Sequence, residues 1–221
     1  FEQPQTIFDS LRGRLAAGAG ILTLGGITQH MEELMAADRM IVIACGTSWH
    51  AGLVAEYMIE ELCRIPVEVD YASEFRYRNP VIREGDIIVA ISQSGETADT
   101  LVAIESAQKQ QAFIFGICNV VGSSISRISD AGAYTHAGPE IGVASTKAFT
   151  AQLAVLALIS LKIAHAKGTI TEKRYLNLLK ELETVPDKVA IALKLNDQVA
   201  RIAAKYKVVR DFLYLGRGYN F

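Results

Sequence analysis

Short apolar runs alternate along this chain with longer stretches whose apolar positions recur every three to four residues, the pattern of strands and helices taken in turn. The clearest run is Ile87 to Ile91, rich in β-branched residues and apolar at every position, which predicts a strand buried on both faces. It stops at Ser92-Gln93-Ser94-Gly95-Glu96-Thr97, and from Ala98 onward Leu101, Ile104, Glu105 and Gln108 fall on a helical period. The loop therefore joins the C-terminal end of a strand to the N-terminal end of a helix. The same design occurs earlier. Arg39 to Cys45 reads as a strand, Gly46-Thr47-Ser48 as a turn, and Trp49 to about Cys63 as a helix with Leu53, Tyr57 and Met58 toward the core.

The remaining pattern adds strands at Pro66–Tyr71 and Phe113–Cys118, and a weak one at 131–136. Ser73–Tyr77 reads as a short capped helix before an Asn79-Pro80 turn, and Asn119 and Gly122-Ser123-Ser124 close the strand at 113–118. A Gly-rich loop from Gly138 opens a long helix from about Thr146 to Ala166; Gly168 ends it and Thr171 caps the next, to about Thr184. One more helix is predicted from Asp187 to Tyr206, and two short ones near the N-terminus, after Pro4 and over Thr28–Ala37. Asp211 to Gly218 repeats the apolar-run-then-glycine design of Met40 to Thr47, which predicts the first strand of a second copy of the same domain. Strands alternating with helices imply an α/β fold, a doubly wound three-layer α/β/α sandwich on a mostly parallel five-stranded sheet.

The chemistry of the 92–97 turn points to an anion. The first turn of a helix has N–H groups without intrahelical partners and a dipole that favours negative charge. Ser92, Ser94 and Thr97 add hydroxyl donors, and Gly95 lets backbone approach closely. Helix capping alone needs one hydroxyl, and this loop offers three. Glu96 would repel a phosphate unless it points away or caps a helix.

Composition narrows the class. The 221 residues are 50% hydrophobic and 21% charged with net charge −2, which provides a sizeable core and no basic surface for nucleic acid or an acidic membrane. The apolar stretch Ala151–Ile163 is broken by Gln152, Ser160 and Lys162, too short to span a bilayer; it reads as a core helix or a dimer face. Three scattered cysteines, Cys45, Cys63 and Cys118, suit reduced thiols in the cytoplasm, and the four histidines share no metal-ligand spacing. Cys45 is expected to be a small buried hydrophobe rather than a reactive thiolate. Lys147 could meet an anion or be ion-paired, and Glu140 could line a pocket or tie its loop to backbone N–H groups. The chain opens on Phe1 rather than Met, as a piece of a longer protein or a processed form would.

Four stretches together resemble the sugar isomerase (SIS) domain family: Cys45 to Ser48, Ser73 to Tyr77, Ser92 to Asp99, and Glu140 to Thr150. The 92–97 loop alone carries only the general family. With the Glu140–Thr150 block, the resemblance narrows to the first of two SIS domains in the family's glutamine-dependent, isomerising aminotransferases. It implies that 39–206 are that domain, that 1–38 are linker helices after an absent glutaminase domain, and that 207–221 begin the second SIS domain. It also implies a phosphosugar partner, fructose 6-phosphate or glucosamine 6-phosphate, in a homodimeric cytoplasmic enzyme. Ser92, Gln93, Ser94 and Thr97 would grip the phosphate, Thr47 and Ser48 would meet phosphate and sugar, and Val143 and Ser145 the sugar chain. Trp49-His50 departs from the Tyr-Asn pair of some members. The family's catalytic groups lie in other domains or a neighbouring subunit, so the resemblance implies a chain that binds substrate, holds no cofactor or metal, and catalyses nothing by itself.

Two rivals stand beside this reading. SIS domains also serve as non-catalytic phosphosugar sensors in regulators, although residues 1–38 show no basic DNA-binding cluster. The Ser92–Thr97 loop also echoes a flavin mononucleotide phosphate loop, but it follows the third strand rather than the first and has no flanking aromatics. No turn reads Gly-x-Gly-x-x-Gly, which disfavours a dinucleotide.

Overall fold

The computed structural model describes residues 1–142 and 144–220. The chain enters through α1 (Gln3–Leu11), with Pro4 at its start, and a small hairpin of β1 (Leu15–Ala16) and β2 (Ile21–Leu22) closed by a 3-10 turn at Ala17–Ala19. Two short helices follow, α2 (Gly25–Thr28) and α3 (Met31–Ala36). Ile7, Leu11, Leu22, Ile27 and Leu34 are all buried in the main core, so this leading segment is packed onto the sheet domain.

The centre is a five-stranded sheet of β3 (Arg39–Ala44), β4 (Val67–Tyr71), β5 (Asp86–Ser92), β6 (Phe113–Cys118) and β7 (Ala131–Tyr134), in spatial order β4-β3-β5-β6-β7. All four pairings are parallel. Because side chains alternate across a strand, the continuous apolar runs divide by parity. Met40, Val42, Ala44, Ile87, Val89 and Ile91 share one core with α4 (Thr47–Cys63) and α8 (Lys147–Lys167). Ile41, Ile43, Ile88 and Ala90 share the opposite core with α5 (Ala72–Arg78) and α6 (Ala98–Gln108). Each fully buried isoleucine contributes about 1.5–3 kcal/mol relative to exposure, so both faces drive the sheet. α7 (Ser124–Ile128) joins the α6 layer, burying Ile125.

α8 is the one described helix long and apolar enough by composition to cross a membrane, yet two-thirds of that apolar window is buried. It is covered by α1, α4 and α9 (Glu172–Glu183). Core packing within the chain thus accounts for its aliphatic faces. Thr171 caps α9 as predicted, its Oγ1 accepting from the Arg174 N–H at 3.3 Å.

Several predicted elements come out differently. The single helix over 187–206 is two, α10 (Val185–Leu193) and α11 (Asn196–Tyr206), and α11 buries nothing. The helix over Thr28–Ala37 is split between α2 and α3. No strand forms over 211–215: those residues are exposed and have no neighbour to pair with, and an apolar run lacking a ladder partner does not become a strand. The chain then turns through a 3-10 segment at Gly218–Asn220, where the Tyr219 hydroxyl donates to Glu61 at 3.0 Å. The inward face of α4 is also rotated from expectation. Tyr57 is 42% exposed, and α4 buries Ala51, Gly52, Ala55 and Ile59 instead. A Cβ on Gly52 would lie 2.9 Å from Val42, so the helix seats on its small residues and the large ones are displaced to the flanks.

Candidate functional site

Ala44 pairs with Ile91, so the loops that leave β3 and β5 emerge side by side at one sheet edge. The next strand after β3 lies to its left in the order above and β5 to its right, which makes this gap the topological switch point, where open α/β sheets bind ligands. Two helix N-termini, those of α4 and α6, meet there. Gly46 precedes α4 with φ 57° and ψ −134°, a backbone conformation that glycine adopts without a side-chain clash. The first turn of α4 carries no acidic residue. The first turn of α6 carries Asp99, which Arg76 engages at 2.6 Å. That pair explains part of the Ser73–Tyr77 motif: Phe75 anchors α5 in the core and Arg76 offsets the one carboxylate at the α6 pole.

Hydrogen bonds order the 92–97 loop. Ser92 Oγ accepts from the Gly95 N–H at 3.0 Å and shares a hydrogen bond with Thr97 Oγ1, also at 3.0 Å. Ser94 Oγ accepts from the Glu96 N–H at 3.1 Å. A hydroxyl carries one proton and two acceptor positions. Among the described residues, therefore, the Ser94 proton and one proton of the Ser92–Thr97 pair have no acceptor. The first-turn N–H groups of α6 lie beyond reach of intrahelical carbonyls as well. The loop is ordered by its own hydrogen bonds, and it keeps hydroxyl protons and helix N–H groups to donate.

Gly95 is required here twice over. Its φ is +66°, and a Cβ would lie 2.0 Å from Ser123 Oγ. Glu96, the residue at odds with an anion site, is turned away: its Oε1 accepts from the Ser124 N–H at 2.7 Å, at the start of α7. Its bonds to Ser124, with the Arg127 guanidinium nearby, hold its carboxyl below the usual range.

Glu140 ties its own loop down. Its Oε2 accepts from Ser145 Oγ at 3.1 Å and from the N–H groups of Thr146 at 3.2 Å and Ala148 at 3.1 Å, occupying the N-terminus of α8. Burial pushes the Glu140 carboxyl up, but those donors outweigh it and the net displacement is downward. Lys147 pairs with Glu2.

Of the eight residues predicted to bind, Thr47 and Ser48 stand in the first turn of α4, Ser92 at the end of β5, and Gln93, Ser94 and Thr97 on the loop between β5 and α6, all at the switch point. Ser145 is held at the head of α8 by Glu140, and Val143 lies outside the described residues. Gln93 and Glu140 line a common open depression of about 610 Å³ with Asn119, His136 and Gly138. A more closed cavity of about 310 Å³, between α2 and β7 beside Gly26, His30 and Gly132, touches none of the predicted residues.

Two residues were missed by the sequence. Asn119 accepts from Thr135 Oγ1 at 3.0 Å and the Ala137 N–H at 2.7 Å, and donates to the Gly138 carbonyl at 2.7 Å, pinning the chain that leads toward Glu140. Gln152 on α8, 1% exposed, donates to Ser48 Oγ at 2.9 Å. Its one sequence signal was a polar residue inside an apolar helical run.

The chain belongs to the SIS domain family, whose profile matches residues 33–162. It is 55% identical over its full length to the glutamine–fructose-6-phosphate aminotransferase (isomerizing) of Bacteroides thetaiotaomicron and 56% to that of Chlorobaculum tepidum, in each case spanning 36% of the relative. Among solved structures, the C-terminal domain of glucosamine-fructose-6-phosphate aminotransferase from Francisella tularensis superposes with a TM-score of 0.93 at 40% identity, over 99% of this chain and 60% of that one.

Proposed function

We propose that this chain is the phosphosugar-binding half of the isomerase part of a glutamine–fructose-6-phosphate aminotransferase, and that the group it holds is the phosphate of fructose 6-phosphate or of glucosamine 6-phosphate. The observation that carries the reading is the donor balance at the switch point: ordered hydroxyls with protons to give, beside two helix N-termini, with both loop carboxylates, Glu96 and Glu140, committed elsewhere. A dianionic ester matches that balance. Full-length identity of 55% to an aminotransferase favours this reading over a sensor module.

In the parent enzyme we place a glutaminase domain before this segment and a second SIS domain after residue 206, consistent with the 36% share of the relatives that it spans. The parent is a homodimer of the cytoplasm, where Cys45, Cys63 and Cys118 remain free thiols, and it engages neither nucleic acid nor membrane. With the loop carboxylates engaged in capping, the chain alone binds substrate without turnover. Calorimetric titration with fructose 6-phosphate against fructose tests this. The phosphorylated sugar should bind and the plain sugar should not, and replacing Ser94 and Thr97 together by Ala should abolish the response. Equal binding of both sugars, or an unchanged affinity in the double variant, overturns the assignment.

A further inference from the structure

We infer that Gln152 is a positioning residue for the phosphosugar site, acting through Ser48. Ser48 lies in the first turn of α4 at the switch point and is 6% exposed; Gln152, in the second turn of α8, is 1% exposed. The Gln152 Nε2 donates to Ser48 Oγ at 2.9 Å, a contact between helices 104 positions apart in sequence. This bond fills an acceptor position on the hydroxyl and leaves its proton, and no other described residue accepts that proton. Gln152 thereby keeps the Ser48 proton free for a ligand that accepts it. The other end of the amide, Oε1, is buried without a partner among the described residues. Holding a buried carbonyl unpaired is unfavourable, so packing alone would select an apolar side chain at this position.

The inference rests on the phosphosugar reading above, and the experiment separates the two. Gln152→Leu should weaken fructose 6-phosphate binding by about tenfold, the usual consequence of losing a hydrogen bond near a charged group. In a Ser48→Ala background the same change should alter affinity by less than about twofold, because the contact is already gone. Equal losses in both backgrounds mean a general packing effect and overturn the inference. Gln152→Glu supplies a readout that packing does not move. At pH 8 the introduced carboxylate accepts the Ser48 proton and turns it from the ligand. As the pH falls and that carboxyl protonates, affinity should return toward the unaltered chain measured at the same pH. A constant ratio across pH counts against the proposal. If the unaltered chain fails to bind fructose 6-phosphate, the functional reading falls. The Gln152 contact is then judged by the exchange of its side-chain amide protons, which should be protected in the unaltered chain and lose protection in Ser48→Ala; unchanged protection overturns it.

Discussion

The hydroxyls of Ser92 and Thr97 share one hydrogen bond at 3.0 Å, and only the Ser92 oxygen also receives the Gly95 N–H. The two residues should therefore respond differently to truncation. Ser92→Ala leaves the N–H of buried Gly95 without its acceptor and should cost about 1–3 kcal/mol of stability. Thr97→Ala keeps that bond and should cost less than about 1 kcal/mol, while still weakening phosphosugar binding. Urea denaturation with calorimetry of each variant separates the effects; equal destabilisation would mean that the loop is not held together through Ser92.

A methyl group at position 95 meets both a left-handed backbone and Ser123 Oγ at 2.0 Å, whereas Gly122, with φ +71°, has open space around it. Gly95→Ala should cost about 3 kcal/mol or more and Gly122→Ala about 1–2 kcal/mol. Thermal unfolding of the two variants side by side checks the order.

At the opposite end of the sheet, Arg39 donates to Asp86 and Glu68, and the Asp86 side chain is 3% exposed. Burial pushes the Asp86 carboxyl up, but the hydrogen bonds from Arg39 and from the Arg83 N–H outweigh it and leave it below the ordinary value. A carboxyl lowered in the folded state stabilises the protein above its unfolded pKa and loses that contribution as pH falls through the folded one. Asp86→Asn should therefore destabilise the chain by about 2–3 kcal/mol at pH 7. The gap between variant and unaltered chain should narrow below about pH 4. A gap that is the same at pH 7 and pH 3 would remove Asp86 from the acid response.

Burial raises the Cys63 thiol to about 12 and the Cys118 thiol to about 11, whereas Cys45 is only half-buried at the end of β3. Iodoacetamide under native conditions should modify Cys45 first and leave the other two intact until the chain unfolds. Mass mapping of the modified peptides reads this directly, and early labelling of Cys118 would place the core beneath α5 and α6 in contact with solvent.

The strands over 39–44, 86–92 and 113–118 were legible because burial on both faces demands a nearly continuous apolar run, which few other structures require. The donor loop was legible too, since its residue types report their own capacity. The inward face of α4 was not: the helix approaches the sheet closely along small residues such as Gly52 and Ala55, which hydrophobic periodicity undercounts. The run at 211–215 has strand composition but no ladder partner among the described residues, and pairing depends on a neighbour that local sequence does not supply.

What the sequence determined by itself was local: which segments extend, which coil, and where hydroxyls gather at a helix start. Those depend on side chains a few positions apart. The tertiary structure decided which of those groups are already engaged and which stay free. Glu96 reaches across 28 positions to Ser124, Gln152 across 104 to Ser48, and only the crossing of the chain between β3 and β5 places their two loops at one edge. Hydrogen bonds act over about 3 Å, so partners distant in sequence are set by packing and become visible only once the chain has folded.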